Sequence, residues 1–243
     1  AVSPDCEFVL HSHVADRSLA SFETQASGMA QFYLTLLKQD IDVSGFNLGG
    51  GFMSSLSDSL LSSLGVEQVS FEDYAATVYR TFDGYGVDVR SFDFYAEPGT
   101  AIAAGSLSLY GQVIDSKGRS DGAILVYTNL SRFDAYARAT LRDLPCRLLT
   151  DRVPQKSKSS VLLAGYTCIE SDILHTCFPY ELQCGDWIVF DDVGSYSTVF
   201  KPPFIKGSHL VLSLKESGEV YIERNRQSWD QMFTCEPRKT RVL

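Results

Sequence analysis

Residues that could bind or transform a ligand stand directly after three short apolar segments in the first part of the chain. His13 lies at the end of the first segment, Gly49-Gly50-Gly51 follows the second, and Glu97-Pro98-Gly99 follows the third. Consecutive glycines let backbone N–H groups approach an anion such as a phosphate closely. Taken singly, a glycine run is usually a tight turn and a histidine is usually structural. Their joint occurrence at successive segment ends favours a ligand site.

The apolar segments alternate with helical patterns, which indicates how these residues are positioned. Residues 8–14, 42–48 and 91–96 have the composition of short strands, whereas residues 18–38 and 71–84 repeat apolar side chains every three or four positions. The predicted helical stripes are Phe22, Ala26, Met29, Tyr33 and Leu37, and then Phe71, Tyr74, Val78 and Phe82. This alternation predicts a parallel α/β arrangement, in which functional side chains lie at the carboxyl ends of the strands.

Beyond about residue 106 the pattern changes to short strand-like runs without long helices between them. These runs lie at residues 106–114, 122–128, 160–166, 186–190, 209–213 and 219–223. The polar stretch 151–160 predicts an exposed loop. Three strands with their helices cannot close a barrel, so the part before residue 106 is expected to be only a portion of a domain.

The composition is that of an ordinary globular protein and excludes several functions. The chain has 243 residues, with 30 acidic against 21 basic side chains, a net charge of −9. It has no basic stripe that would predict nucleic-acid binding, no apolar run of membrane-spanning length and no signal-peptide pattern at its start. The six cysteines are scattered without metal-ligand spacing, which favours free thiols in a reducing cytoplasm.

Short motifs in a fixed order extend over most of the chain. They read SHVAD at residues 12–16, FNLGGGF at 46–52, AEPG at 96–99, GYTC at 165–168 and GDWIVF…GSY at 185–196. In order and spacing they resemble the HVGS, DIGGGF, AEPGR, GPTC and GDWLVF…GAY motifs of the ornithine/diaminopimelate/arginine decarboxylase family, whose cofactor is pyridoxal 5'-phosphate.

The resemblance implies the alanine-racemase-like fold of this family, known as fold type III. Residues 1–106 would form part of a cofactor-binding β/α (TIM-like) barrel, and residues 107–243 would form a β-rich carboxy-terminal domain. It also implies a homodimer with shared active sites, because Cys168 would serve the site of the neighbouring subunit. A complementary chain that carries the rest of the barrel is the other arrangement we consider.

The resemblance assigns cofactor roles residue by residue. The residues so assigned are His13, Gly49, Gly50, Gly51, Glu97, Gly99 and Tyr196. His13 would stack on the pyridine ring, and Glu97 would pair with the ring nitrogen and keep it protonated. The glycines of the 49–51 loop and Gly99 would bind the phosphate through backbone N–H groups, and Tyr196 would reach it through its hydroxyl.

Cys168 is the residue that the resemblance assigns to catalysis. It would protonate the carbanion that remains when CO2 departs, and a thiol suits this role because it can give up a proton near neutral pH. Each role has a structural alternative. Glu97 could cap the turn at Pro98, Cys168 could be a buried thiol, and Tyr196 could be a core residue.

The chain departs from the family pattern at several positions. The family's covalent cofactor lysine lies on the first barrel strand, which the matched motifs do not include. Thr100 stands in place of an arginine and Asp16 in place of a serine, and both changes disfavour phosphate binding, although Arg17 could compensate. Ile169 stands where the family often has an acid that reads a distal ammonium. A simple diamine precursor such as ornithine or lysine is therefore not the expected substrate.

The predicted function is that of a carboxy-lyase that removes CO2 from an α-amino acid or a related small molecule. It is conditional on a lysine supplied by another segment or chain. The alternative is a non-catalytic homologue that regulates or pairs with a true decarboxylase, which the substitutions at Asp16, Thr100 and Ile169 favour. A racemase on the same scaffold is a third reading, and the Cys168 motif argues against it.

Overall fold

The structure is a computed structural model that describes residues 7–138, 143 and 145–233. Its first part contains a parallel sheet with strand order β1-β2-β3. The strands are β1 (Val9–His11), β2 (Gly45–Asn47) and β3 (Asp93–Tyr95). All three lie inside the predicted segments but are shorter. The central strand β2 is largely buried, whereas β1 and β3 alternate exposed and partly buried residues because each is an edge of the sheet.

Two long helices cover this sheet. They are α1 (Leu19–Leu37) and α3 (Phe71–Gly84), close to the predicted ranges. Each begins at a serine whose hydroxyl accepts a hydrogen bond from a backbone N–H in the first turn, Ser18 in α1 and Ser70 in α3. The helices meet through aromatic rings, with Phe22 and Tyr74 centroids 4.5 Å apart.

The predicted apolar stripes were wrong at two helix-end positions. Leu37 is 51% exposed and Phe71 is 38% exposed. A helix of 19 residues is about 28 Å long at 1.5 Å per residue, whereas a strand of three residues spans only about 10 Å. The end of α1 therefore extends past the sheet, whereas Phe71 at the start of α3 still contacts the ring of Phe52 at 5.7 Å.

Two short helices of the first part were not predicted. They are α2 (Asp58–Leu64), which begins at Ser57, and α4 (Gly99–Ala103), which follows β3 after Glu97 and Pro98. Both are shorter than the window of about 11–18 residues over which helical periodicity is recognised. Together with Met53 and Ala104, the leucines of α2 form a small separate core cluster.

The second part contains a six-stranded mixed sheet with the order β6-β9-β4-β5-β7-β8. The strands are β4 (Leu109–Gly118), β5 (Ile124–Thr128), β6 (Cys146–Leu149), β7 (Val161–Ala164), β8 (Ile173–His175) and β9 (Trp187–Phe190). β5 and β7 pair in parallel and the other neighbours are antiparallel. β6 and β8 were not among the predicted strand-like runs.

The chain after the large sheet forms smaller elements. They are α5 (Ser197–Phe200), the antiparallel pair β10 (Val211–Leu214) and β11 (Val220–Arg224), and α6 (Trp229–Phe233). The predicted strands at 209–213 and 219–223 correspond to β10 and β11. The loop 151–160 is mostly exposed, as predicted.

The two large hydrophobic clusters draw on separate parts of the chain. One uses residues between 10 and 101 and centres on Phe46 and Phe82, which are fully buried. The other uses residues between 107 and 193 and includes Leu163, Leu174 and Ile188, also fully buried. Each sheet is thus stabilised by its own core.

Two further features concern membrane spans and cysteines in the described residues. Within the ranges the structure covers, no helix has the length and apolar character needed to cross a membrane. The cysteines in those ranges, at positions 146, 168, 177 and 184, are free thiols. Cys6 and Cys235 lie outside the described residues.

Replacing Phe46 by alanine is expected to lower the free energy of unfolding by about 3–5 kcal/mol, the usual cost of removing a buried aromatic ring. Its ring packs against those of Phe82 at 4.6 Å and Phe92 at 5.2 Å, centroid to centroid. Urea denaturation followed by circular dichroism measures the change. Phe32→Ala, at a 55% exposed position of α1, is the matched control and should cost under about 1 kcal/mol. Equal losses in both variants would contradict the assigned core.

Cys146 is expected to resist alkylation in the native protein. Burial, and secondarily the Asp143 carboxylate, raises the pKa of its thiol to about 12, and only the thiolate reacts with iodoacetamide. At a pH of about 9, labelling of Cys146 should therefore remain slower than labelling of the exposed Cys177 and Cys184. Peptide mass spectrometry gives each rate, and labelling of Cys146 at the rate of the other two would rule out its burial.

Candidate active site

The carboxyl ends of β1, β2 and β3 meet at one edge because hydrogen bonding continues beyond each strand. The Ser12 N–H donates to the Asn47 carbonyl at 3.0 Å, next to the last residues of β1 and β2. The side chain of Gln25, buried on α1, donates to the carbonyls of Ser12 at 2.6 Å and Leu48 at 2.8 Å. One helix side chain thus holds two of the three strand ends together.

The glycine loop after β2 is packed directly between the neighbouring strand ends. Gly49 has φ +64°, and a Cβ added there would lie 2.8 Å from the Cβ of His13. A Cβ added to Gly50 would lie 2.7 Å from the carbonyl oxygen of Glu97. The Glu97 N–H in turn donates to the Gly49 carbonyl at 2.8 Å. Any side chain at these glycines would push His13 and Glu97 away from the loop.

Two of the three glycine N–H groups are used inside the protein rather than left free for an anion. The Gly50 N–H donates to Nδ1 of His13 at 2.9 Å, and the Gly49 N–H donates to Oδ1 of Asn47 at 2.9 Å. Among the described residues, Gly51 N–H makes no hydrogen bond. The side chain of Arg17 lies beside Gly51, with its Cγ 3.7 Å from the Cβ position of that glycine. Of this loop, Gly51 therefore has the N–H best placed for a phosphate.

Glu97 presents an exposed carboxylate that is held in orientation from one side. Its Oε1 accepts a hydrogen bond from Nδ2 of Asn47 at 2.8 Å and lies 3.9 Å from Nε2 of His11. The side chain is 57% exposed. No side-chain hydrogen bond caps α4, which begins at Pro98, so the alternative of Glu97 as a turn cap was wrong.

The hydroxyl of Tyr196 approaches this edge from the second part of the chain. Tyr196 stands at the start of α5 with φ +64° and is 51% exposed, so it is not a core residue. Its hydroxyl oxygen lies 3.4 Å from the position that a Cβ of Gly99 would occupy. The small size of Gly99 therefore leaves room in front of the hydroxyl.

Lys201, which follows α5, anchors this short helix to a buried carboxylate. The side chain of Asp134 is fully buried and lies 2.8 Å from Nζ of Lys201 and 2.9 Å from Nε2 of His209. Burial raises the pKa of Asp134, but the contacts with His209 and Lys201 outweigh burial and bring the pKa below its ordinary value. The carboxylate is thus held ionised, and Lys201 is held with it.

Cys168 lies on an exposed loop between β7 and β8, so the alternative of a buried thiol was also wrong. Ile169 beside it is 39% exposed. Among the described residues, no hydrogen bond or ion pair connects Cys168 with His13, Glu97 or Tyr196. Among the described residues, hydrogen bonds and close contacts connect the predicted cofactor residues with one another but do not include the predicted catalytic thiol.

Asp16, which the sequence placed near the phosphate, is directed to the start of α1. Its Oδ1 accepts the Ser18 N–H at 3.0 Å, and hydrogen bonds from Ser18 lower the pKa of Asp16. Arg17 and not Asp16 flanks the glycine loop.

Sequence reasoning assigned no role to Asn47, His11 or Gln25. His11 and His13 stand two positions apart, so they share one face of an extended chain, and this spacing could have indicated His11. Asn47 directly precedes the glycines, and its amide can both donate and accept. Nothing in the sequence around Gln25 marks it, since it lies within a helical stripe.

These groups fit the parts of pyridoxal phosphate. An exposed carboxylate suits the protonated ring nitrogen, the exposed His13 ring can stack on the pyridine, and the Gly51 N–H and the Tyr196 hydroxyl suit the phosphate. Within the described ranges, no cluster of three or more histidine, cysteine or acidic side chains could hold a metal ion.

Solved structures similar to this chain share its fold. Diaminopimelate decarboxylase from Helicobacter pylori, complexed with L-lysine, superposes with a TM-score of 0.74 at 22% identity, covering 93% of this chain and 53% of that one. The Paramecium bursaria Chlorella virus arginine decarboxylase bound to agmatine gives a TM-score of 0.65 at 20% identity, covering 82% and 51%.

Sequence relatives point to the same group of proteins. Diaminopimelate decarboxylase of Helicobacter pylori is 23% identical over 235 residues, which is 93% of this chain and 54% of the relative. Ornithine decarboxylase of Schizosaccharomyces pombe is 27% identical over 171 residues, 63% of this chain and 36% of the relative. The chain thus spans about half or less of the length of these relatives. A family model described as pyridoxal-dependent decarboxylase, C-terminal sheet domain, matches residues 14–194, and the chain belongs to this family of pyridoxal-dependent decarboxylases.

Proposed function

We propose that the full-length protein removes CO2 from an α-amino acid with pyridoxal 5'-phosphate as cofactor. The observation that carries this proposal is the arrangement at the strand ends. An exposed carboxylate, Glu97, is oriented by Asn47 beside a glycine loop that has no room for side chains. Family membership supports the same activity.

Pyridoxal phosphate, when bound, supplies an electron-withdrawing ring that stabilises the charge left on the α-carbon after CO2 departs. Glu97 keeps the ring nitrogen protonated by pairing with it, and this pairing makes the ring a better electron acceptor. Asn47 donates a hydrogen bond to the Glu97 carboxylate at 2.8 Å and so fixes its direction. His13 has its ring orientation fixed by the Gly50 N–H, which holds one ring face ready to stack.

The phosphate is bound by groups from both parts of the chain. The Gly51 N–H and the Tyr196 hydroxyl would donate hydrogen bonds to the phosphate, and Gly99, which has no side chain beside that hydroxyl, would leave space for the phosphate oxygens. The Cγ of Arg17 lies beside Gly51, and the guanidinium of this residue would supply positive charge in place of the family's arginine, which is Thr100 here.

We further propose that residues 1–106 form part of the β/α barrel and residues 107–243 the β-rich domain of a homodimer. The lysine that binds the cofactor covalently belongs to another segment of the full-length protein or to a complementary chain. Cys168 then acts in the partner's active site, which agrees with its exposed position. We propose a cytoplasmic location for the protein, because the cysteines in the described ranges are free thiols, as expected in a reducing compartment.

The substrate is proposed to be an amino acid without a distal ammonium group. Ile169 follows the catalytic thiol and is 39% exposed. An apolar side chain cannot pair with an ammonium, and leaving that charge desolvated and unpaired is costly. A larger or modified amino acid fits this position better.

Release of CO2 from a panel of α-amino acids tests the function in full-length protein loaded with pyridoxal phosphate. Glu97→Gln is expected to lower kcat by about 100-fold or more, because it removes the charge that holds the ring proton. Glu67→Gln, at an exposed position, is the control and should keep wild-type activity. An unchanged kcat in Glu97→Gln would contradict the assigned role.

The same panel decides between the competing readings. Fast turnover of ornithine or lysine would overturn the proposed substrate class. Absence of both turnover and bound cofactor in the wild-type protein would replace the enzyme with a non-catalytic homologue.

Tyr196→Phe is expected to weaken cofactor binding by about 10-fold or more, since a hydrogen bond to a charged group contributes about 1.5–3 kcal/mol. Fluorescence titration of the cofactor-free protein measures the dissociation constant. Tyr79→Phe, on α3 and 45% exposed, removes a comparable hydroxyl elsewhere and should change nothing. Equal affinity in Tyr196→Phe and wild type would remove this residue from the phosphate site.

A further inference from the structure

The loop that carries Cys168 is folded around one buried carboxylate, that of Asp172, which is 2% exposed. Its Oδ1 accepts hydrogen bonds from the Ser131 hydroxyl at 2.9 Å and the Arg132 N–H at 2.8 Å. Its Oδ2 accepts from the Thr167 N–H at 3.1 Å and the Thr167 hydroxyl at 2.6 Å. All four donors converge on a side chain that accepts hydrogen bonds at both oxygens when ionised.

The backbone of the same loop closes around Asp172. The Gly165 N–H donates to the Asp172 carbonyl at 2.8 Å, and the Asp172 N–H donates to the Ile169 carbonyl at 2.9 Å. The Ile169 N–H donates to the Thr167 hydroxyl at 3.3 Å. A Cβ on Gly165 would overlap the carboxylate. Cys168 therefore lies between two residues, Thr167 and Ile169, that are both tied to this centre.

Replacing the Asp172 carboxylate by an amide would remove at least one of its hydrogen bonds. In an asparagine, one oxygen becomes an NH2 group that faces a backbone N–H, either that of Arg132 or that of Thr167. The hydroxyls of Ser131 and Thr167 can rotate to accept, but a backbone N–H cannot, so one buried donor loses its partner.

The carboxylate also connects the loop to the segment that bears Tyr196. Ser131, whose hydroxyl binds Asp172, donates its backbone N–H to Oδ2 of Asp134 at 2.8 Å. Asp134 in turn holds Lys201 at the end of α5. A polar network therefore joins the loop that carries Cys168 to Lys201, which directly follows α5.

We propose that Asp172 is a positioning residue that holds Cys168 so that its thiol protonates one face of the substrate carbon. This inference rests on the proposed function. CO2 leaves without the electron pair of the broken C–C bond, the pair stays on the α-carbon, and the Cys168 S–H proton forms the new C–H bond. Solvent water then returns a proton to the thiolate, so the reaction consumes one solvent proton and needs no oxidant or reductant.

Hydrogen exchange of the full-length protein without cofactor tests the hold of Asp172 on the loop. In Asp172→Asn, amides of residues 165–172 are expected to exchange at least about 10-fold faster than in wild type. Asp186→Asn is the matched control, because Asp186 is also buried and accepts hydrogen bonds from Thr150 and Gln183 away from this loop. Unchanged exchange at 165–172 in Asp172→Asn would overturn the inference.

Turnover in D2O tests the positioning of the thiol through the stereochemistry of deuterium incorporation, which general destabilisation of the protein does not alter. Protonation of a single face should place deuterium at only one of the two prochiral hydrogen positions on the α-carbon of the wild-type product. Asp172→Asn should lose this stereochemical preference and lower kcat at least about 10-fold with KM changed less than about 3-fold. Thr167→Val should behave likewise, whereas Thr167→Ser should restore wild-type behaviour and Asp186→Asn should retain it.

The hydrogen-exchange and turnover experiments together distinguish failure of this inference from failure of the proposed function. If the wild-type protein turns over substrate but Asp172→Asn keeps full kcat and a single deuterated position, Asp172 does not position the thiol. If the wild-type protein turns over nothing while the exchange contrast persists, the proposed function fails, and Asp172 keeps only its hold on the loop.

Discussion

The contact between the glycine loop and its two neighbouring strand ends is the constraint on which the candidate site depends. At Gly49 and Gly50 a Cβ would come within 2.8 Å and 2.7 Å of atoms in His13 and Glu97. Close-packed atoms tolerate no such approach, so the loop brings a histidine and a carboxylate to opposite sides of one narrow edge. The hydrogen bonds of Ser12 and Gln25 maintain the strand register that makes this approach possible.

Around that edge, side-chain orientation depends on hydrogen bonds more than on burial. Glu97 and His13 are exposed, and exposed side chains gain little from packing. Their directions are set instead by an amide, Asn47, and by a backbone N–H, that of Gly50. This agrees with a site that is open on one side to receive a flat ring and rigid on the other side.

The second part of the chain relies on buried carboxylates to hold its loops. Asp134 pairs with Lys201 and contacts His209, and Asp172 accepts hydrogen bonds from four donors. Buried charges are tolerated when they are fully paired and hydrogen-bonded. Segments without regular secondary structure, including those that carry Cys168 and Tyr196, therefore adopt defined conformations over a sheet whose own core is apolar.

Hydrophobic periodicity and motif order determined much of this protein in advance. The helices over residues 18–38 and 71–84, the short strands before His13, Gly49 and Glu97, and the β-rich part after about residue 106 follow from local patterns, since alternation and helical repeats are properties of neighbouring residues. The short strands β6 and β8 were not among the predicted strand-like runs. Only the tertiary structure decided that Asn47 orients Glu97, that Gly49 and Gly50 use their N–H groups internally, and that Asp172 gathers the Cys168 loop. Each of these interactions joins residues through side-chain geometry or across long stretches of chain, and composition and spacing carry no information about either.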